Sequence, residues 1–162
     1  KQWQRVHDDE PPEISPIPLP ESGMAAPADG AATLLLSSTL PDESQPPLAR
    51  ILDWVEMGAD SAGTVRELLR RTGLTFPQID RWEIHEASTA RLLALLRDLP
   101  EIDPGRVNPG GGALALGDPL GAGGARLVSS LAFALRADRL QTGIAFIPAL
   151  GGPGIAMAIS RA

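Results

Sequence analysis

The sequence predicts an α/β fold, a mixed β-sheet with helices on both faces, in the order β-α-β-α-β-α-β-β. Three observations carry that expectation. Short apolar runs at residues 51–57, 81–84, 144–147 and 155–159 have the length of buried strands. Between them, apolar residues recur at helical spacing and stop at Gly or Pro. A length of 162 residues, 43% of them apolar and 21% charged, is enough for one domain with a real core.

The chain divides at residue 47. Gly and Pro number 17 and 16, about twice their average share for this length, and the prolines crowd the first 47 residues. Pro11-Pro12 and the Pro16, Pro18, Pro20 series cannot be helical or sit centrally in a sheet. Residues 1–28 therefore read as an extended arm lying on something, or as a disordered tail. Residues 31–36, Ala-Ala-Thr-Leu-Leu-Leu, read as a short buried strand, and 40–47 as a second Pro-bounded linker. Residues 48–162 form the regular domain.

Within it, the run at 51–57 is a strand ended by Gly58. Val65, Leu68 and Leu69 followed by Gly73 mark a short helix and its stop. Residues 81–84 are the second strand. Leu92, Leu95, Leu96 and Leu99 fall on one helical face before Pro100, with Ser88 or Thr89 as the N-cap. Residues 107–116 hold a Gly-rich turn and a third strand. Val128, Leu131, Ala132 and Leu135 repeat the helical spacing, in a segment from Leu120 whose Ser129, Ser130 and scarce charge suit a buried helix. Two closing strands flank the Pro/Gly hairpin at 148–154. Arg70, Arg71, Arg136 and Arg139 read as helix-end charges that complement the dipole.

Composition excludes several classes. Fourteen basic against twenty acidic residues give a net charge of −6, and no segment is basic enough to follow a phosphate backbone, so no nucleic acid partner is expected. Cysteine is absent, which removes disulfides, thiolate metal sites and a cysteine nucleophile from these 162 residues. With two histidines, His7 and His85, no metal site is expected either. The apolar runs are too short to span a bilayer. The opening residues, Lys-Gln-Trp-Gln-Arg, are no signal peptide, and the expected compartment is the cytoplasm.

Chemistry concentrates in three loops at strand ends. The first is Trp82-Glu83-Ile84-His85-Glu86-Ala87. The second runs from Asn108 to Arg126 and is rich in glycine, which allows close backbone approach to a ligand. It has no GK[ST] and is not a dinucleotide fingerprint. The third is the hairpin containing Gly151, Gly152 and Gly154. On residue type alone, His85 is either a structural histidine or a water holder, and Asp118 before Pro119 is a helix cap or the partner of a His85–Asp118 acid/base dyad. Glu83 and Glu86 read as a solvated or interface pair.

In this order the three loops resemble the C-terminal half of the thiolase family, which includes acetyl-CoA acetyltransferases and 3-ketoacyl-CoA thiolases. His85-Glu86-Ala87 fits the family's H-E-A-F segment. Asn108, Gly111, Gly112, Ala113, Ala115, Gly117, Pro119, Gly121, Gly124 and Arg126 fit N-x-x-G-G-A-x-A-x-G-H-P-x-G-x-x-G-x-R at every spacing. Gly151-Gly152 with residues 154–159 fits the closing motif. Asp29-Gly30-Ala31-Ala32 is similar to the D-G-A-A strand that ends the family's N-terminal half. The resemblance spans residues 27–162 and implies a thiolase-like half, with residues 1–47 holding a remnant of the other half.

The resemblance also implies where the family's chemistry is altered. Asp118 stands where the family has the histidine that activates its nucleophile. Pro148 stands where it has its C-terminal cysteine base, and Leu150 where it has an oxyanion-hole glycine. His85 alone keeps a family-type residue at its motif position, one that holds a water or polarises a thioester carbonyl. Asn108, Gly111, Gly112, Gly117, Gly151 and Gly152 are the ligand-loop candidates. Nucleophile, base and oxyanion donors act as a unit, so the chain alone is expected to be inactive and to bind no cofactor. Its expected partners are a protein carrying a thiolase N-terminal half and, in that homo- or hetero-oligomer, an acyl-CoA thioester as substrate. The alternatives are a catalytically silent structural or regulatory module, a pseudoenzyme, and a fragment of a longer thiolase-like chain.

Overall fold

A computed structural model describes residues 23–39, 46–149 and 151–162. Four strands form one sheet: β1 (Ala49–Met57), β2 (Arg81–Ile84), β3 (Thr142–Pro148) and β4 (Gly154–Arg161). Their order is β1-β4-β3-β2, with β2 parallel to β3 and the other pairs antiparallel. The helices are α1 (Ser61–Thr72), α2 (Thr89–Asp98), the single turn α3 (Ala113–Leu116) and α4 (Gly123–Ala137).

Helices α1 and α2 begin at the caps their sequence supplies, and α1 also ends at its own. Asp60 caps α1 by accepting from the Gly63 N–H at 2.7 Å, and Gly73 closes it at φ 70°. Ser88 caps α2, accepting from the Arg91 N–H at 3.3 Å. Arg70 and Arg71 lie in the last turn of α1 and Arg136 in that of α4, as expected, whereas Arg139 lies beyond the helix at φ 57°.

The alternation of the strands sends apolar residues both ways. Val55, Trp82, Ile84, Ile144, Phe146, Ala156 and Ala158 pack against Val65, Leu68 and Leu69 of α1 and against Leu95 and Leu99. On the opposite face Ala145 and Ile159 pack against Leu127, Leu131 and Leu135 of α4. Helices thus cover both faces of a mixed sheet, which is the expected class. α4 covers mainly β2 and β3. The β1 side of that face leaves Leu52, Trp54 and Ile155 exposed, and Phe133 of α4 faces outward.

Three expectations are corrected. The third strand, sought in residues 107–116, is reduced to a bridge between Val107 and Trp82. The Asn108 N–H still reaches the Trp82 carbonyl at 2.9 Å, but Pro109 has no N–H to continue the ladder, and residues 113–116 close a helical turn. The segment 31–36 is not a strand; it lies outside the sheet, and Leu35 is 96% exposed. The helix expected from Leu120 starts as a 3-10 turn, Leu120–Ala122, and becomes α-helical at Gly123.

The described part of the arm lies on the domain. Met24 bridges to Ser88 and Pro27 to Asp118. Most of the arm, at residues 1–22, and residues 40–45 of the linker lie outside the described residues. No helix among the described residues is long and apolar enough to cross a membrane.

Candidate functional site

β2 and its continuation set the site. Trp82 and Ile84 point into the core under α1 and α2, so alternation sends Arg81, Glu83 and His85 to the α4 face. The His85 N–H extends the pairing by donating to the Phe146 carbonyl at 2.8 Å. Its imidazole enters a cleft of about 290 Å³ lined by His85, Asp118, Leu120, Gly123, Gly124 and Ile147. There Nε2 lies 3.6 Å from Asp118 Oδ2, with the side chains 16% and 17% exposed.

Asp118 is held from three directions. Its Oδ1 accepts from the Leu120 N–H at 3.0 Å, which caps the turn leading into α4. Its backbone N–H donates to Ala26 at 2.7 Å, and its carbonyl accepts from Ala28 at 3.0 Å. Asp118 thus holds the Leu120 N–H with one carboxylate oxygen and faces His85 with the other. Gly117, at φ 92°, lets the loop turn where a Cβ would overlap that of Ala28.

Behind the cleft lies a buried network that the sequence reading misplaced. Glu83 is 1% exposed and Glu86 is 8% exposed, so they are neither solvated nor an interface pair. Asn108 binds the edge of β2 through its side chain: Oδ1 accepts from the Ile84 N–H at 2.7 Å, and Nδ2 donates to the Ile84 carbonyl at 2.8 Å. Nδ2 also donates to Glu86 Oε1 at 2.6 Å, while Oε2 accepts from the Leu114 N–H at 3.2 Å. Asn108 and Glu86 therefore face inward and tie the second loop to the first. Gly112 packs against both, and a Cβ there would meet the Glu86 carboxylate. Gly111, at φ 91°, completes the turn after Asn108.

Glu83 pairs with Arg81 at 2.8 Å, and Arg81 also reaches Asp138 at 3.3 Å, just past the end of α4. Burial pushes the Glu83 carboxyl above its ordinary value, while Arg81 and then Arg126 pull it down. The three Arg126 guanidinium nitrogens are shut off from solvent and make no hydrogen bond. Residue type alone could have flagged this set: Arg81, Glu83 and His85 put a polar group at every second place of a strand whose other positions are Trp and Ile.

The hairpin stands apart from the cleft. Pro148 ends β3 opposite Gly154, one residue past the cleft-lining Ile147, and is not part of the lining. Gly151 and Gly152 turn the chain at φ 82° and 100°. The Ser61 hydroxyl at the start of α1 donates to the carbonyls of Gly152 at 3.0 Å and Pro153 at 2.8 Å. Leu150 lies outside the described residues. So the structure brings His85 and Asp118 together, uses Asn108, Gly111, Gly112 and Gly117 to shape the loops around them, and keeps Gly152 against the start of α1. Among the described residues, no three His, Asp or Glu side chains gather as a metal site.

Chemically, the cleft offers an imidazole and a carboxylate within reach of one another, and its lining contains no thiol or hydroxyl nucleophile. It can donate a hydrogen bond, hold a water or accept a proton.

Comparison with known proteins agrees with this layout. The family model described as thiolase, C-terminal domain, matches residues 46–161. An acetyl-CoA acetyltransferase of Shinella zoogloeoides is 37% identical over 140 residues, covering 81% of this chain and 36% of that protein. A beta-ketoadipyl-CoA thiolase of Pseudomonas aeruginosa is 40% identical over 143 residues, covering 82% and 36%. Human mitochondrial 3-ketoacyl-CoA thiolase superposes with a TM-score of 0.68 at 32% identity, covering 72% of this chain and 31% of that one. The chain thus spans about a third of the length of the relatives it matches.

Proposed function

Because the chain belongs to the thiolase family through its C-terminal domain, we propose that it is the non-nucleophilic subunit of a thiolase-type acyl-CoA acyltransferase assembly. A partner chain supplies the family's N-terminal half and the reactive cysteine, and a coenzyme A thioester enters as substrate. His85 contributes as hydrogen-bond donor or water holder at the thioester, with Asp118 orienting it. A cytosolic setting is part of the proposal.

The observation that carries this reading is the apolar surface left open by the domain. Leu52, Trp54 and Ile155 on the uncovered side of the sheet, Phe133 on α4, and Leu116 and Leu120 beside the cleft are all exposed large apolar residues. A contiguous apolar patch marks a contact surface, and Trp54 and Ile155 stand side by side on one face of the paired strands β1 and β4. A second reading, a silent structural or regulatory module, is favoured by Asp118 and Pro148 at the motif positions where the family carries its catalytic histidine and cysteine.

The test is co-purification of the tagged chain, mass spectrometry of what binds, and intact-mass analysis after incubation with acyl-CoA. The expected result is a bound protein bearing a thiolase N-terminal half that takes the acyl group, while this chain stays unmodified. A covalent acyl adduct on this chain would overturn the non-nucleophilic assignment. In the assembly, His85→Ala is expected to lower turnover by about 10²–10³, the usual loss for one oxyanion donor, without loss of assembly. Unchanged turnover, at saturating and at low substrate, assigns the chain to the silent module. Finding the N-terminal half on the same polypeptide would replace the partner chain with a single longer enzyme.

A further inference from the structure

Residues 31–36 have the composition of a buried strand and none of its surroundings. The run Ala31-Ala32-Thr33-Leu34-Leu35-Leu36 holds no charge and no proline. Its path is without turn or bend from Ala28 to Ser37. Leu34, Leu35 and Leu36 are all exposed, and no backbone hydrogen bond joins residues 29–36 to any other described residue. Six apolar, uncharged residues in this state lack only a ladder to join. Extended, they reach about 20 Å, the length of an ordinary strand.

The start of the run is fixed. The Ala28 N–H donates to the Asp118 carbonyl at 3.0 Å, and Gly30 packs so closely on Pro119 that a Cβ there would stand 2.7 Å from the proline Cβ. The run therefore leaves the domain beside Asp118, which lines the cleft with His85. In an extended strand Thr33 and Leu35 point to one side, Leu34 and Leu36 to the other. Large apolar groups on both sides fit a sheet covered by helices on both faces.

This chain's own sheet closes its edges to such a strand. The outer edge of β2 is taken by the Asn108 side chain and by the bridge from Trp82 to Val107. Along the outer edge of β1, a bulge interrupts the register between Ile51 and Asp53, and Asp53 Oδ1 accepts from the Trp54 N–H at 2.8 Å. The exposed Arg50 and Glu56 add charge to that edge. Bulges and charges are what keep an edge strand from pairing. A second copy carries the same closed edges, so the acceptor belongs to a different protein.

We propose that residues 31–36 are a donor strand, which adds to the open edge of a helix-covered sheet in the partner chain. Backbone hydrogen bonds hold it there, with Leu34 and Leu36 in one apolar layer and Leu35 in the other. Because the strand starts next to Asp118, the sheet it joins is brought alongside the His85–Asp118 cleft. The identity of the acceptor rests on the reading of a partner with a thiolase N-terminal half; the pairing tendency of the run does not.

The experiment compares wild type with Leu35→Pro, Leu35→Ile and Ser38→Pro. Proline removes a ladder N–H, and these positions lie outside the sheet and core, so circular dichroism should give one melting temperature for all four. The probe is the protein recovered with the tagged chain that bears a thiolase N-terminal half. Its recovery is expected to fall about tenfold or more with Leu35→Pro and to persist with Leu35→Ile and with Ser38→Pro, just beyond the run. In the assembly, hydrogen exchange at residues 31–36 should slow by about 10²-fold or more relative to the chain alone. Undiminished recovery with Leu35→Pro, or unslowed exchange, overturns the donor strand. Absence of any such protein refutes the partner reading instead, and the strand is then decided on the chain alone. An unpaired strand associates with its like, so sedimentation velocity should show less self-association for Leu35→Pro than for Ser38→Pro. Equal association of the two overturns the proposal.

Discussion

Replacing Asn108 by Ala should remove the bracket that joins the second loop to β2, and the structure sets the size of the effect. Three hydrogen bonds go at once. The Ile84 N–H and carbonyl lose their bonds at 2.7 and 2.8 Å, and Glu86 loses its donor at 2.6 Å while keeping the Leu114 N–H. The site is buried, so each orphaned partner costs about 1–1.5 kcal/mol, or roughly 3–5 kcal/mol together. Asn108 also sits at φ 44°, a left-handed conformation that Ala tolerates about 1 kcal/mol less well. For a domain of this size the sum corresponds to a fall in Tm of about 10 °C or more, read by circular dichroism. Asn108→Gly separates the two contributions, because it loses the same bonds and spares the backbone. It should melt a few degrees above Asn108→Ala. A Tm within about 2 °C of wild type for the Ala variant would refute the claim that these bonds hold the loop.

Three further outcomes follow from the same physics. Burial holds the Glu83 carboxyl above its ordinary value of 4.5, so its protonated form favours the folded state, and that contribution is present below about pH 4.5 and lost as pH rises through the folded value. The stability of wild type relative to Glu83→Gln, from urea midpoints between pH 4 and 8, should therefore fall with rising pH, and a constant difference would contradict it. Gly117→Ala places a side chain at φ 92° against Ala28 and should cost about 3 kcal/mol, seen as a lower Tm and faster proteolysis near residues 23–30; an unchanged melt would show that the loop relaxes freely. Alone in solution the chain should self-associate through its exposed apolar residues, and sedimentation velocity showing a clean monomer with a sharp two-state melt would remove the argument for a covering partner.

The periodic elements were legible because one rule governed each. Leu92, Leu95 and Leu99 mark a helix wherever the sheet lies, and Ser88 and Gly73 act through local geometry. Residues 107–116 misled because their apolar run satisfies a strand by composition, whereas the missing N–H of Pro109 and the turn at Gly111 decide the local path. Residues 31–36 carry the composition of a buried strand, but burial depends on a surface to pack against, which a sequence window does not contain. The cleft was legible in part: the motif order put His85 and Asp118 in neighbouring loops, and the fold brings their side chains to 3.6 Å. The burial of the Arg126 guanidinium was not legible, since a charged group on a helix shows its burial only once the opposing sheet is placed.

The path of residues 24–28 from Ser88 to Asp118 has a kinetic meaning. Met24 and Pro27 make bridges to Ser88 and Asp118 that join parts of the chain far apart in sequence. Closing such loops demands entropy before any contact repays it, so they form late in folding. They are also few and superficial, which places them among the first contacts to open in the native state. Asp118 donates to and accepts from this crossing segment through its backbone, so each local opening frees the carboxylate from one of its supports while β2 and His85 stay fixed in the sheet. The amides of Ala25, Ala28 and Asp118 should accordingly exchange with solvent as one group, much faster than those of β3. Whatever holds the segment down should therefore steady the approach of Asp118 to His85 without touching the pair itself.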